Sequence, residues 1–302
     1  MNDTGPASFK YMSTNQGVKI RWGLWKTTAK NHCGTMLLLS GRGEYLEKYT
    51  ETVADLTQRG YDVYAFDWQG QGLSSRMLVN RHKGYVQSYD DYLADLHYFI
   101  KTAMTPSAKA PFYLLAHSMG AHIGLRYLHD HLTIFQGVVL TAPLIDIGMS
   151  PLLKKFLRTY VRVAIKLGLA KRYVPGAGDV NPNGQEFENN KLTNDRMRFE
   201  RMNRQLSENP GLVLGGVTHQ WLLATFCSID RIGAKGFIER INLPVLIVTA
   251  GNDSIVSLNA QKSIYKRLPQ CRLVIIENAK HEILVEADEF RNQFWQAFDE
   301  FI

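Results

Sequence analysis

Short apolar runs alternate along this chain with longer stretches in which apolar residues recur every three or four positions. The runs at Lys19–Trp25, Thr35–Ser40, Asp62–Phe66, Phe112–Leu115, Gly137–Thr141, Val245–Thr249 and Arg272–Glu277 predict strands. The stretches Glu47–Arg59, Tyr89–Met104, Ala121–His129, Asn259–Leu268 and Asp288–Phe301 predict helices between them. Such alternation is the pattern of an α/β fold with a mostly parallel central sheet flanked by crossover helices. It breaks between about Ile147 and Asp230, where strand-like runs vanish and a polar stretch spans Pro175–Gly184. The expected organisation is a first core part at 1–146, a helical insertion between sheet strands at 147–230, and a second core part at 231–302.

Composition is that of a globular chain, and 302 residues can bury a substantial core. Met1–Ser8 lacks the basic start and apolar run of a secretory signal, and no segment approaches the roughly 20 apolar residues that span a bilayer. The expected location is cytoplasmic, with room for a peripheral membrane habit. Cys33, Cys227 and Cys271 are scattered among apolar neighbours without metal spacing and are expected to be reduced core residues. The net charge of +7 is uneven, because 147–230 carries 12 Lys/Arg against 7 Asp/Glu. Lys154, Arg158, Arg162 and Lys166 recur every fourth position among Leu153, Phe156, Leu157, Val161, Ala164 and Ile165. That pattern predicts a basic amphipathic helix, either a contact for anionic lipid or a solvated face that keeps the chain soluble. No aromatic-interleaved basic motif is present, so nucleic acid is not an expected partner.

The candidate chemistry lies at Ala116-His117-Ser118-Met119-Gly120, where an apolar run ends in a small-x-Ser-x-Gly turn opening onto an amphipathic stretch. A serine hydroxyl is a weak nucleophile unless a tight strand-to-helix turn presents it to a base and backbone N–H groups face the developing oxyanion. A strand-end serine capping the next helix would give the same five residues. An acid and then a histidine should follow from later strand ends. Asp253 stands at the mouth of the run Pro244–Ala250, and His281 lies in the loop after Leu273–Ile276. Asp230 and Asp288 compete for the acid. His117 should point to the opposite face from Ser118, and His122 should pack beneath the turn. His82, His97, His129 and His131 read as surface or helix-face residues. Two oxyanion donors are expected, the N–H of Met119 and the N–H of glycine-flanked Arg42, whose side chain is an alternative phosphate ligand. No His/Cys/Asp/Glu grouping has metal-ligand spacing, and no metal or cofactor is expected.

Ser40–Tyr49, Phe66–Ser74, Ala116–Gly120, Gly251-Asn252-Asp253 and His281 together resemble the α/β-hydrolase superfamily, and their order and spacing resemble its monoacylglycerol lipase and bacterial lysophospholipase branch. Asn190–Phe199 and Gly215–Trp221 are similar to cap segments of the lysophospholipase-like members. The resemblance implies a helical cap over the crevice and hydrolysis of a lipid monoester by Ser118, His281 and Asp253. It leaves open a short-chain esterase, an acyltransferase or a peptidase on the same triad, and a non-catalytic binding protein. Two positions depart from the family pattern: Ser40 stands where a histidine is usual, and Gln69 where an arginine braces the loop.

Overall fold

The computed structural model of the chain describes residues 9–27, 29–132, 134–181 and 185–302. Met1–Ser8 and the Pro182–Gly184 end of the polar stretch lie outside the described residues. The strands are β1 (Lys10–Ser13), β2 (Lys19–Trp25), β3 (Gly34–Leu39), β4 (Tyr61–Phe66), β5 (Phe112–His117), β6 (Gly137–Thr141), β7 (Val245–Ala250) and β8 (Cys271–Ile276). They form one sheet in the order β1-β2-β4-β3-β5-β6-β7-β8. The β1–β2 and β2–β4 pairs are antiparallel, and every later pair is parallel. Parallel neighbours require crossovers, and helices supply them: α1 (Thr50–Gln58), α2 (Tyr89–Phe99), α3 (Ser118–Asp130), α4 (Pro151–Lys166), α5 (Arg196–Glu208), α6 (His219–Gly233) and α7 (Leu258–Tyr265), with α8 (Asp288–Phe301) following the last strand.

Period-two alternation sorts the sheet's side chains between two cores. On β3, Leu37 and Leu39 join the core built with Tyr92, Leu96 and Phe99 of α2 and Ile123 of α3. Met36 and Leu38 face the opposite core, with Val53 and Leu56 of α1 and Phe294 and Phe298 of α8. The parallel strands are therefore apolar on both sides, and their runs were readable. Strand β1 was not expected: three of its four residues are exposed, and antiparallel pairing with β2 makes it a strand.

Among the described residues, the segment from Ile147 to Asp230 adds no strand to the sheet and contains α4, α5 and most of α6. No helix among them is long and apolar enough to cross a membrane. The cysteine expectation is corrected: Cys33 and Cys227 are exposed and Cys271 is half-buried, all three as free thiols. Cys33 precedes β3, Cys227 lies on an exposed side of α6, and Cys271 begins edge strand β8.

Candidate active site

The Ser118 turn owes its shape to close backbone approach. β5 ends at His117 and α3 begins at Ser118, whose φ of +50° is in the left-handed region that non-glycine residues rarely occupy. A Cβ on Gly120 would lie 2.5 Å from the Ser40 carbonyl oxygen and 2.6 Å from that of Leu39, so only glycine lets α3 start this close to β3. The capping alternative does not describe Ser118, because His117 occupies the N-cap position and no side-chain cap bond is made.

The loops after β7 and β8 bring Asp253 and His281 to this turn. His281 Nε2 lies 2.9 Å from Ser118 Oγ, and His281 Nδ1 lies 2.6 Å from Asp253 Oδ2. With the imidazole neutral, Nδ1–H donates to the carboxylate and Nε2 is left to accept the serine proton. The other Asp253 oxygen accepts the amides of Ile255 (2.8 Å) and Val256 (3.1 Å). Burial acts to raise the Asp253 pKa, but His281 and these two amides outweigh it and hold the carboxyl below its ordinary value. Asp230 instead pairs with Arg158, and Asp288 with Arg198.

In the loop after β3, the Gly41 N–H donates to the Glu44 carboxylate and the Gly43 N–H to the Gln71 side chain. Among the described residues, the Arg42 N–H between them has no protein partner. The Met119 N–H belongs to the first turn of α3, where helix donors lack intrahelical acceptors. The strands carrying these two groups are neighbours, with Leu39 opposite Ala116.

The sequence reading missed a buried charge relay behind this loop. Lys48 Nζ lies 2.6 Å from Glu44 Oε1 and 2.5 Å from Glu282 Oε1, so one ammonium joins the Arg42 loop to the residue after His281. Burial would raise the Glu44 pKa, but Lys48, His117 and the Tyr49 hydroxyl bring it down to about 2. Glu282 has fewer donors, and burial, opposed by Lys48 and reinforced by Glu44, raises its pKa. Glu44 and Lys48 are four apart on one short turn and Glu282 adjoins the histidine; that was the only signal in the sequence.

The remaining histidines do not reach Ser118. His117 contacts Thr141 through Nδ1, and burial pushes its pKa down to about 4. His122 lies beneath the turn between the Leu144 carbonyl (2.7 Å) and Ser228 Oγ (2.6 Å), with burial lowering its pKa to about 3. His97 stacks on His131, His129 on Phe237, and His82 meets the Val180 amide.

A second set of contacts ties the histidine loop to the segment before α5 and to the first turn of that helix. The Glu282 N–H donates to the Leu192 carbonyl (2.9 Å), Thr193 Oγ1 to that of Val285 (2.8 Å), the Asn194 N–H to Glu286 (2.7 Å), and Arg198 to the Glu286 carbonyl (2.7 Å).

The basic row on α4 is corrected in part. Each four-residue step advances about 40° around a helix of 3.6 residues per turn, so the row swings by roughly 120° from Lys154 to Lys166. Lys154 consequently turns inward to Asp146, and Arg158 pairs with Asp230 and covers the Phe226 ring. Arg162 and Lys166 remain exposed, with Lys155 beside them. The neighbouring outer stripe is apolar: Leu152 is 80% exposed, Phe156 65% and Leu167 71%.

The profile of the family described as serine aminopeptidase, S33 (Hydrolase_4) matches residues 30–288. The chain is 32% identical to a probable lysophospholipase L2 of Haemophilus influenzae over 268 residues, covering 88% of this chain and 83% of that protein. It is 29% identical to lysophospholipase L2 of Escherichia coli K12 over 283 residues, 90% and 81% of the two chains. A soluble variant of the Saccharomyces cerevisiae monoglyceride lipase superposes with a TM-score of 0.79 at 20% identity, covering 99% of this chain and 96% of that one, a likeness of fold. With a matching profile over most of its length, the chain belongs to the S33 serine hydrolases of the α/β-hydrolase superfamily, in their lysophospholipase and monoglyceride lipase branch.

Proposed function

We propose that this serine hydrolase cleaves the acyl ester of a lipid monoester, a lysophospholipid or a monoacylglycerol, through an acyl-enzyme. The observation that carries the chemistry is the relay from Ser118 through His281 to Asp253, on a serine held in a strained turn. Ser118 Oγ attacks the ester carbonyl as His281 Nε2 takes its proton, and Asp253 stabilises the imidazolium. The Arg42 and Met119 N–H groups receive the oxyanion. His281 then protonates the departing glycerol oxygen and activates the water that releases the fatty acid. The names of the bacterial relatives support the lipid substrate.

Residues 147–230 act in this reading as a cap over the strand ends. The outer face of α4, with Leu152, Phe156, Val163 and Leu167 exposed beside Lys155, Arg162 and Lys166, supports peripheral contact with an anionic bilayer. Ser118→Ala is expected to abolish p-nitrophenyl ester turnover and labelling by a fluorophosphonate. Full labelling of the variant would refute the assignment. A panel of lysophospholipids, monoacylglycerols and short-chain esters ranks the substrates, and preference for short-chain esters would overturn the lipid reading.

A further inference from the structure

Arg42 contributes an unpartnered N–H to the loop after β3, and its side chain has a separate setting. Nη2 donates to the Gly215 carbonyl at 2.5 Å, and the guanidinium lies 5.1 Å from the centre of the Trp221 ring. The wall around it is shaped for it: a Cβ on Gly84 would stand 2.5 Å from Nη2, and Gly84 is itself bonded to Gly216 and Thr218. Among the described residues, no carboxylate lies within 4.0 Å of this guanidinium. The nearest acid in sequence, Glu44, is committed to Lys48, Tyr49 and the Gly41 amide. Nε is sealed from water with no acceptor. The ionisable groups that face the guanidinium are the phenols of Tyr89, Tyr92 and Tyr173, and burial lowers the Arg42 pKa.

A half-buried guanidinium whose Nε is shielded and unpaired and which has no counter-ion is an open demand for an anion, and an arginine fork recognises phosphate or carboxylate best. The geometry points to Arg42 as the ligand for the phosphate of a lysophospholipid headgroup, with its backbone N–H on the ester oxyanion of the same molecule; this rests on the esterase reading above. Chain lengths agree. About six bonds separate the Arg42 amide nitrogen from its guanidinium carbon, and the same number separates a glycerol-1-ester carbonyl carbon from the phosphorus at the third glycerol position. A monoacylglycerol presents a hydroxyl there and leaves the charge unmatched. Arg42 thus determines specificity between two esters that the triad treats alike.

The test compares kcat/KM for a lysophosphatidylethanolamine and a monoacylglycerol of the same acyl chain, in wild type, Arg42→Gln and Arg42→Lys. All three proteins keep the backbone N–H. Loss of a charge-assisted bond lowers the lysophospholipid-to-monoacylglycerol ratio by about tenfold or more in Arg42→Gln, chiefly through KM, with partial recovery in Arg42→Lys. A ratio that stays constant while both activities fall together overturns the proposal, because a purely structural arginine would do that. If Arg42→Gln does not fold, a wild-type ratio in Arg42→Lys, whose shorter point charge cannot fork, overturns it equally. Inhibition of p-nitrophenyl butyrate turnover by sn-glycerol 3-phosphate and by inorganic phosphate separates the phosphate sources. Competitive inhibition by glycerol phosphate that Arg42→Gln abolishes supports the headgroup site, and inhibition by inorganic phosphate with an unchanged lipid ratio overturns it in favour of free phosphate. A wild type that turns over the nitrophenyl ester and neither lipid refutes the lipid reading; the inhibition experiment then decides the phosphate site alone.

Discussion

Replacing Lys48 with methionine keeps most of the side chain's length and removes its charge, leaving the Glu44 and Glu282 carboxyls facing each other in a site shielded from water. Burial opposes the ionised Glu44 carboxylate, and Lys48 is its largest favourable contributor, ahead of His117 and Tyr49. Breaking a buried ion pair by removing one partner typically costs about 3–5 kcal/mol, and because Tyr49 and the Gly41 amide still bind Glu44 the expected loss is at the lower end, about 3 kcal/mol. At roughly 2–4 °C per kcal/mol for a chain of this size, Tm falls by about 6–12 °C. In the wild type the Glu44 carboxyl is depressed, so its contribution is complete above pH 4.5 and is lost only as pH falls through about 2. Glu282 is already raised in the wild type, which therefore also weakens as pH rises; without the opposing ammonium it is raised further, so the folded variant weakens more steeply. The wild-type-to-variant gap in Tm therefore widens between about pH 5 and pH 8. Differential scanning calorimetry over that range measures it, and p-nitrophenyl butyrate turnover reports whether the Gly41 tie and the His281 loop have lost register, as a fall in kcat. A Tm within about 2 °C of wild type at pH 8, or a gap that does not narrow at pH 5, would refute the reasoning.

Asp253→Asn leaves the loop hydrogen bonds largely possible but stabilises the wrong His281 tautomer; kcat is expected to fall about 10⁴-fold, and a loss of only a few-fold would remove Asp253 from the triad. Sedimentation with phosphatidylglycerol vesicles should weaken on joint neutralisation of Lys155, Arg162 and Lys166 and on Phe156→Ser, and much less on Lys154→Gln, whose charge is already engaged by Asp146. Equal loss from both charge sets would refute the face assignment.

Ser118 and Asp253 were legible because each follows an apolar run that the sheet largely buries, and His281 because it follows the next apolar run, the half-buried edge strand β8. The Arg42 loop was legible for a related reason, its flanking glycines. What the sequence withheld depends on rotation or on distant partners. Four-residue spacing suggested one basic stripe on α4, whereas the helix twist turns Lys154 and Arg158 towards acids and Arg162 and Lys166 away. Apolar neighbours suggested buried cysteines, although adjacent positions on a helix or strand face different directions. The Lys48 bridge joins residues from opposite ends of the chain, and the local Glu44–Lys48 spacing announces only half of it.

The bonds between Leu192–Arg198 and the loop after His281 bear on modularity. An insertion between two strands invites treatment as a cassette that can be deleted or exchanged to redirect specificity. Here its middle portion supplies a carbonyl, a hydroxyl, an amide N–H and a guanidinium that hold the histidine's own loop in place. A graft that takes the α4 region alone leaves the His281 loop supported, and one that also removes Asn190–Arg198 strips that support. The evolvable part of this enzyme is therefore narrower than its topology suggests.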